Sequence, residues 1–493
     1  MKTARYRFYE MIPGFVIWFI FLGAIILSFV KPIWAIYWII IYDLYWVLRI
    51  IYLLIFLLIS WHRFKITTKI NWFDKLTLEL PGWEKIYHLI MLPSSVEGLD
   101  VVKQGFESLL KTNYPKEKFI VVLTGEERKK HIFEPVAKAI GEKYGDKFFK
   151  LLITTHPKDL PDEIPGKGSN TNWAGHQVKK IIDEIGIPYE NIIVSCFDVD
   201  TSVHKEYFSY LTYRYLTDPD PTHTSYQPIA IYNNNIWDSP ALTRVVARGT
   251  TFWLFTELAK PNINFTFASH SMPFKALVDV GFWPKDMVSE DSRTSLMCLN
   301  YYNGNYKVVP LYMPVSMDTV YSGSFWKSMV SQYKQMRRWG YGIENVPWMI
   351  ENFGKNKKMP WQKKILPFFS QFEGSISWAT VSILILMLGS LPIWVAKLHN
   401  ISDSIVLNAP FILEWLMNVA LVGMITSAVF STILLPPRPS HHKSYKYLFM
   451  ILQWLLFPIT MLIFGSIPAT EAITRLMLGK YLGFYITEKK RIA

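Results

Sequence analysis

Two aspartates that follow an apolar, strand-like run are the first candidates for chemistry. The run at residues 192–197 is apolar and rich in β-branched residues, and Asp198 and Asp200 come directly after it. At the end of a strand, alternation would direct both carboxylates toward one side. Such oxygen ligands hold Mg²⁺ or Mn²⁺, and the ion can neutralise the charge of a departing diphosphate. Because such pairs also occur by chance on exposed loops, this pair indicates a site only together with other residues.

An adjacent acid pair lies further along the chain. Glu290 and Asp291 begin a segment that continues with an apolar–polar pattern over residues 294–299. Such a pair commonly marks a helix N-terminus, where the helix dipole favours negative charge. Taken alone, the pair is better explained by this structural role than by catalysis.

A third group combines an amide, a guanidinium and an indole. On a helix, Gln335, Arg338 and Trp339 fall at positions i, i+3 and i+4 and therefore share one face. The guanidinium suits phosphate oxygens, and the indole can stack on the apolar face of a sugar ring. An amphipathic helix that lies on a membrane is the alternative interpretation, and it is compatible with the first.

Strand-like and helix-like patterns alternate around these residues. The strand-like runs are residues 87–92, 119–123, 149–153 and 192–197. The helical patterns between them are residues 98–110, 133–144 and 172–185. This alternation predicts an α/β domain with a mainly parallel sheet. In such sheets, ligands bind beyond the carboxyl ends of the strands.

Long apolar stretches flank this domain. The chain has 493 residues, 51% of them hydrophobic, and only two cysteines, which excludes a disordered chain and a disulfide-rich scaffold. The stretches long enough to cross ~30 Å of hydrocarbon are residues 13–30, 33–59, 368–395, 411–435 and 447–467. A cleaved signal peptide is the alternative for the first, but no small-residue cleavage site follows it. Acids within these stretches, namely Asp43, Glu373 and Glu414, are expected to face a protein interior or a polar path.

Basic residues predict the orientation of a multi-pass plasma-membrane protein. Lys and Arg are concentrated at the N-terminus, after the second stretch and at residues 438–446, and they mark the cytoplasmic side. The large domain is therefore expected to be cytoplasmic. The net charge of +13 is attributed partly to membrane lipids, and no nucleic acid is expected as a partner. Five spans would place the basic C-terminus outside, so the number of spans stays open.

The three motifs, in this order and between membrane spans, resemble those of the membrane-embedded processive family 2 glycosyltransferases, which include cellulose synthase and hyaluronan synthase. Two further segments agree. Residues 167–172 (KGSNTN) resemble the family's KAGNLN, and residues 483–489 (GFYITEK) resemble its FxVTxK gating loop. The resemblance covers residues 80–490 and implies a GT-A-type, Rossmann-like glycosyltransferase domain, flanked by transmembrane α-helices.

The resemblance also implies roles at the reaction centre. Asp198 would help to hold the nucleotide and, with Asp200, a Mg²⁺ or Mn²⁺ ion. Lys167 would contact the diphosphate. Asp291, beside Glu290, would be the catalytic base that deprotonates the acceptor hydroxyl.

Further roles concern the ends of the two substrates. Arg338 would stabilise the departing diphosphate, while Gln335 and Trp339 would hold the terminal sugar of the acceptor. The gating-loop residues would be Phe484, Thr487 and Lys489.

At the nucleotide base, the sequence departs from the family pattern. The resemblance implies that Glu97 contacts the nucleoside. The family's second strand usually ends in aspartates that recognise the base, whereas here it ends in Thr-Gly-Glu-Glu, so that Glu126 or Glu127 would substitute. A UDP-sugar is the expected donor, with a GDP-sugar as the alternative.

Five regions follow from these patterns. They are a transmembrane hairpin (1–62), the cytoplasmic glycosyltransferase domain (63–345), interfacial helices (346–367), C-terminal transmembrane helices (368–470), and an interfacial helix with the gating-loop-like tail (471–493).

The main functional hypothesis is an inverting, processive hexosyltransferase that builds a β-linked polysaccharide from a nucleotide sugar and passes it across the membrane. The alternative is a single-addition enzyme that makes a glycolipid, so that the acceptor is a glycan or a lipid. A non-catalytic transporter or assembly subunit is a third interpretation, and the complete set of motif residues argues against it.

Overall fold

The computed structural model describes residues 3–260, 265–487 and 489–491. Two long apolar helices come first, α1 (Ala4–Val30) and α2 (Pro32–Thr67). The helices of the central part are α3 (Trp72–Glu79), α4 (Leu99–Leu110), α5 (Lys130–Tyr144), α6 (Lys167–Ile185), α7 (Tyr207–Thr217), α8 (Ala241–Ala259), α9 (Phe274–Asp279), α10 (Glu290–Tyr301), α11 (Phe325–Gly340) and α12 (Asn345–Lys355). The later helices are α13 (Trp361–Ser382), α14 (Leu391–Leu398), α15 (Ser404–Ile433), α16 (Lys446–Leu452), α17 (Phe457–Met461) and α18 (Ile467–Met477).

One mixed sheet lies at the centre of the described residues. Its strands are β1 (Tyr87–Pro93), β2 (Phe119–Glu126), β3 (Lys150–His156), β4 (Ile192–Cys196), β5 (Ser202–Val203), β6 (Thr224–Tyr232), β7 (His270–Pro273) and β8 (Lys307–Met317). They are ordered β3-β2-β1-β4-β7-β6-β8-β5. Neighbouring strands from β3 through β4 pair parallel, as do β6 and β8. Strand β7 pairs antiparallel with β4 and β6, and β5 pairs antiparallel with β8. The predicted α/β fold with a mainly parallel sheet is confirmed.

Both faces of the sheet are covered. Along β2, Val121 and Leu123 pack in one hydrophobic cluster with Phe106 of α4, while Val122 packs in another with Val178 of α6. This alternation follows from the two-residue period of a strand. Burial on both faces explains why the strand sequences read as continuous apolar runs. Because β1 pairs parallel with β2 and β4, the carboxyl ends of these strands share one edge, and Glu126, Asp198 and Asp200 lie at or just beyond it.

Among the described residues, five continuous helical segments are long and apolar enough to cross a membrane. They are Ala4–Val30, Pro32–Thr67, Trp361–Leu398, Ser404–Ile433 and Lys446–Met477. Each contains all or nearly all of one of the apolar stretches seen in the sequence. The third begins inside the region that the sequence predicts to be interfacial, because basic residues at a helix end interrupt the hydropathy pattern without interrupting the helix.

The acids within these helices differ in their surroundings. Asp43 is buried, and Glu373 forms an ion pair with Arg49 of α2. Glu414 is exposed on α15, so the expectation that it faces an interior is wrong. An acid on a helical surface is not distinguished from a buried one by hydropathy alone.

The central domain packs directly on the apolar helices. Gly340, at the end of α11, lies so close to α18 that a Cβ atom there would be 2.9 Å from the Cα atom of Ala469. On the other side, Arg63 of α2 donates a hydrogen bond to the hydroxyl of Tyr312 in β8 at 2.9 Å. The α11 helix, which carries three predicted site residues, therefore lies against a membrane-length helix.

Candidate functional site

Three distant parts of the chain meet around the ammonium group of Lys167. Lys167 is the first residue of α6, Asp198 follows β4, and Asp291 lies in the first turn of α10. The Lys167 Nζ atom donates to Asp198 Oδ1 at 2.9 Å and lies 3.1 Å from each carboxylate oxygen of Asp291. The Lys167 side chain is only 9% exposed. The predicted base Asp291 and the predicted nucleotide-binding Asp198 therefore both contact Lys167, the predicted diphosphate-binding residue.

The charges in this cluster stabilise each other. Burial alone would lower the pKa of Lys167, but Asp198 and Asp291 raise it well above its usual value. Burial would likewise raise the pKa of Asp198, whereas Lys167, Lys489 and Arg338 lower it to about 2. Both groups are therefore charged near neutral pH.

Glu290 behaves differently from its neighbour. Burial, and next the charge of Asp291, raise the pKa of Glu290 to about 7. Its side chain is 3% exposed, compared with 18% for Asp291. The Asp291 carboxylate is the more accessible of the two acids, and Thr266 fixes its backbone by donating to the Asp291 carbonyl at 2.5 Å.

The residues around Lys167 hold the start of α6 in place. Asn170 Nδ2 donates to the carbonyl of Thr124 at 3.2 Å, and the Thr124 hydroxyl donates to Asn170 Oδ1 at 2.6 Å. Asn172 donates to the carbonyl of Trp283 at 2.6 Å. At Gly168, a Cβ atom would lie 2.5 Å from a backbone carbonyl oxygen of Pro284. The KGSNTN segment therefore anchors Lys167 by tertiary contacts that a bulkier residue at position 168 would prevent.

The second aspartate of the Asp198-Val199-Asp200 (DVD) motif is bound by the C-terminal tail. Asp200 is 3% exposed, and its Oδ2 atom accepts from the backbone N–H of Asp318 at 2.8 Å and from Lys489 Nζ at 2.6 Å. Arg491 forms an ion pair with Asp318, with its guanidinium nitrogens 2.7 Å and 3.1 Å from the carboxylate oxygens. The tail is thereby fixed across the acid-rich edge.

Sequence reasoning missed Asp318. Burial, and next the charge of Asp200, raise the pKa of Asp318. It follows β8 directly, so the rule that ligands lie beyond the carboxyl ends of strands would have indicated it, had β8 been recognised.

The predicted nucleoside-binding acids lie beyond β1 and β2. Glu97 Oε2 accepts from the backbone N–H groups of Ser95 at 2.7 Å and Val96 at 3.1 Å, and burial raises its pKa. Glu126 is the buried last residue of β2. Glu127 instead accepts from the Lys158 backbone at 2.9 Å. Of the two glutamates, Glu126 is the one at the strand edge, and its role as a base contact stays a prediction.

Arg338 contacts the tail. Its guanidinium carbon lies 4.5 Å from the ring centroid of Phe484, and its Nε atom is buried without a partner among the described residues. The Phe484 ring also covers Gly166, where a Cβ atom would be 2.4 Å from the Phe484 Cγ atom and where φ is +148°. Only glycine suits this backbone and this contact. Arg338, Phe484 and the start of α6 form one layer over the site.

A narrow gap, with room for about one water molecule, lies between the predicted acceptor residues and the acids. Its lining includes Gln335, Trp339, Tyr232, Asp318 and Thr319. The ring centroids of Trp339 and Tyr232 are 6.3 Å apart, and Gln335 Oε1 accepts from Gln332 at 3.2 Å. Since Asp318 contacts Asp200, the gap opens beside the DVD motif.

The remaining gating-loop residue, Thr487, is buried, and its hydroxyl has no partner among the residues described. Its neighbour Glu488 lies outside the described residues. Glu97, Glu126, Asp198 and Asp200 lie at or just beyond the carboxyl ends of strands, whereas the other predicted site residues lie on α6, α10 and α11 or in the tail. Their roles stay predictions.

The DVD carboxylates suit a phosphate-bound ion. Asp198 and Asp200 each already bind an ammonium group, which shows that cations are stabilised at both. Mg²⁺ is typically bound by one or two carboxylates together with substrate phosphates. Elsewhere in the described residues, Asp238, His441 and His442 form a group whose donor atoms lie within 4.8 Å of one another.

Comparisons with known proteins are consistent with this site. Residues 193–467, more than half of the chain, match the family model described as "Glycosyl transferase family group 2". No curated protein matches the chain significantly. Among solved structures, it is similar to the mannosyltransferase PcManGT from Pyrobaculum calidifontis in complex with GDP-Man and Mn²⁺, at 13% identity over 83% of this chain and 99% of that chain, with a TM-score of 0.43.

It is also similar to S. aureus TarS 1-349 in complex with UDP-GlcNAc, at 13% identity over 71% of this chain and 91% of that chain, with a TM-score of 0.37. These likenesses are weak, whereas the family model spans most of the sheet, α10, α11 and three of the apolar helices. The chain therefore belongs to glycosyl transferase family group 2, and its fold is GT-A-like.

Proposed function

We propose that the protein is an inverting, processive glycosyltransferase that elongates a β-linked glycan and passes it across the membrane. The observation that carries this proposal is the meeting of Lys167, Asp198 and Asp291 at the sheet edge, beside a helix that packs on a membrane-length segment. The catalytic domain is proposed to face the cytoplasm, where nucleotide sugars are made.

Asp291 is the proposed base. Its carboxylate is partly exposed and lies beside Lys167, where it would accept the proton of an acceptor hydroxyl as that hydroxyl attacks the anomeric carbon. Attack from the side opposite the diphosphate inverts the anomeric centre and gives a β-linked product from an α-linked donor. Lys167 and Arg338 would stabilise the negative charge that develops on the leaving diphosphate.

Asp198 and Asp200 would hold Mg²⁺ or Mn²⁺ on the diphosphate. When bound, the ion supplies charge neutralisation of the leaving group. For this to happen, Lys489 must release Asp200, because its ammonium is hydrogen-bonded to the same carboxylate. A movement of the tail on nucleotide binding is therefore part of the proposal.

Processivity is supported by the position of the gap at the predicted acceptor residues, which would widen to admit a sugar. Trp339 and Gln335 line this gap, and α11 ends at Gly340 against α18, so a glycan bound at Trp339 would lie close to the apolar helices. Polar side chains continue within these helices, where Tyr42 and Thr380 lie 3.4 Å apart and Asp43 has a buried oxygen without a partner in the described part of the chain. A polar path for a glycan would use such groups.

The experiment has two steps. Purified protein is first tested with a panel of UDP- and GDP-sugars in Mg²⁺ or Mn²⁺, and release of the nucleoside diphosphate is measured. The product of the active donor is then sized with a radiolabelled sugar. High-mass polymer that a β-specific glycosidase degrades supports the proposal, whereas an organic-extractable glycolipid alone would identify a single-addition enzyme.

A further inference from the structure

A second cluster of cationic side chains lies between α8 and the loop that precedes α16. These side chains line a cavity open to solvent, and its charged and aromatic members include Arg244, His441, His442, Lys443, Lys446 and Phe449. Arg244 belongs to the glycosyltransferase domain, the histidines and Lys443 belong to the connection between the fourth and fifth apolar helices, and Lys446 and Phe449 belong to the start of the fifth. The cavity therefore lies where the domain meets the membrane.

The positive charge of this cavity is incompletely balanced. Arg244 is 7% exposed, and among the described residues it donates only to neutral groups, the Gln453 amide oxygen and the Ser239 carbonyl, each at 2.7 Å. Lys446 donates to a backbone carbonyl of Trp237. The Lys443 side chain has no ion pair among the described residues. Hydrogen bonds to neutral partners leave the net charge of these groups unchanged.

One carboxylate faces this cluster, and the histidines already bind it. Asp238 Oδ1 lies 3.3 Å from His441 Nε2 and 2.7 Å from His442 Nε2. The Lys446 ammonium is 3.1 Å from His442 Nδ1. A metal ion at the histidines would be repelled by this ammonium and by the other permanent cations. An anion is therefore the better-matched ligand.

Arg248 provides an independent observation. It is one turn further along α8 than Arg244, so that the two share a helix face. It is 1% exposed, and neither of its terminal nitrogens has a partner among the described residues. An unpaired buried charge is strongly destabilising. Arg248 does not itself line the cavity, but its positive charge adds to that of Arg244 on the same helix.

Tyr445 and Phe449 line the other side of the cavity, next to Leu448. Tyr445, Leu448 and Phe449 are 61%, 57% and 55% exposed, at the start of the fifth apolar helix. Basic residues next to an apolar helix end match the charge of anionic lipid headgroups, and the apolar side chains match their acyl chains.

We propose that this cavity binds the phosphate headgroup of an anionic lipid, with the phosphate at Arg244, Lys443 and Lys446 and the acyl chains along the start of α16. The cavity is also connected to the active site. Asn234 and Asn235 precede Asp238 in the chain. The Asn234 side chain donates to the Asp200 carbonyl at 3.0 Å, and the Asn235 side chain donates to the Thr319 carbonyl at 2.9 Å. A lipid held here would steady the segment that supports the DVD motif.

The test uses the full-length protein in detergent micelles with photoactivatable phosphatidic acid, and with photoactivatable phosphatidylcholine as the uncharged comparison. Phosphatidic acid is expected to label a peptide that contains residues 438–449, and Lys443→Glu is expected to reduce this labelling about tenfold. Lys357→Glu, an exposed lysine in the loop before the third apolar helix, is the matched control and should keep the labelling.

Several results would overturn the proposal. They are labelling of other peptides by both lipids alike, an equal loss in Lys443→Glu and Lys357→Glu, and loss of the label in excess inorganic phosphate, which would indicate a site for small anions. If the purified protein contains stoichiometric zinc and the His441→Gln variant does not, the histidines form a metal site instead. Peptide mapping of the wild-type protein decides the question even if Lys443→Glu does not fold.

Discussion

The ammonium group of Lys489 lies 2.6 Å from Oδ2 of Asp200, so the C-terminal tail holds the carboxylate that is proposed to bind a metal. The same oxygen accepts from the Asp318 backbone, and Arg491 pairs with the Asp318 carboxylate. Lys489 thus occupies, as a cation, the position that suits a divalent ion. The tail and the metal are expected to compete for Asp200.

Replacing Lys489 tests this competition. In Lys489→Met, Asp200 is left without its ammonium partner. The affinity for Mn²⁺ in the absence of nucleotide should therefore rise about tenfold, because the ion no longer has to displace Lys489. Electron paramagnetic resonance of free Mn²⁺ measures this affinity. Lys490→Met is the matched control, since the Lys490 side chain lies against Gly323. Weaker Mn²⁺ binding in Lys489→Met would show that Lys489 does not compete.

Asp291 is tested by removing its charge while keeping its shape. Asp291→Asn should lower sugar transfer by about 10²–10⁴-fold, the usual contribution of a general base, and should leave nucleotide-sugar binding largely intact because Lys167 still pairs with Asp198. Turnover and calorimetric binding are compared in the same preparation. Asp183→Asn, an exposed residue on α6 that pairs with Lys179, is the charge-matched control. Unchanged turnover would remove Asp291 from the role of base.

The raised pKa of Glu290 predicts how the free energy of unfolding depends on pH. Burial and the neighbouring Asp291 raise its pKa from 4.5 to about 7, so the folded protein keeps this proton while the unfolded chain loses it. Stability should therefore fall as pH rises from 4.5 to 7, by up to about 3 kcal/mol from this group. Glu290→Gln should remove that fall, seen as melting midpoints at pH 5 and pH 8 that differ less than in the wild type. The exposed Glu184 provides the control substitution, and an unaltered pH dependence in Glu290→Gln would contradict the prediction.

The first four strands could be predicted because their sequences are apolar on both faces. The start of α6 could not. The sequence pattern places it at residue 172, whereas the helix begins at Lys167. The polar residues of KGSNTN are typical of a loop by composition. They are helical because Asn170 accepts a hydrogen bond from Thr124 of β2 and Ser169 donates one to the Ile164 carbonyl. Tertiary hydrogen bonds of this kind are not visible in a local pattern.

The same limit applies to the tail. The resemblance of residues 483–489 to a gating loop pointed to the segment, but the contact of Lys489 with Asp200 joins residues 289 positions apart. The neighbouring contact of Arg491 with Asp318 depends on β8, which the alternation of the first four strands does not indicate. Spacing identified the chemistry-bearing residue types, and only the folded chain determines which of them touch.

Two tryptophans on α11 allow a sharp test of the gap at the predicted acceptor residues. Trp339 lines the gap next to Tyr232, whereas Trp326 is 76% exposed. Trp339→Ala should raise the acceptor KM about tenfold, the upper range for loss of one aromatic contact, and should leave hydrolysis of the donor by water unchanged, because Lys167 and the acids are untouched.

Trp339→Phe should recover part of the affinity, since a smaller ring still stacks on a sugar, and Trp326→Ala should behave as the wild type. Initial rates at varied acceptor concentration, measured beside donor hydrolysis, separate the two steps. An equal loss of transfer and donor hydrolysis in Trp339→Ala, together with a lower melting midpoint, would assign Trp339 to the packing of α11 rather than to sugar binding. Recovery by phenylalanine of acceptor affinity alone would be expected only if the ring contacts the acceptor, because packing of α11 affects both reactions.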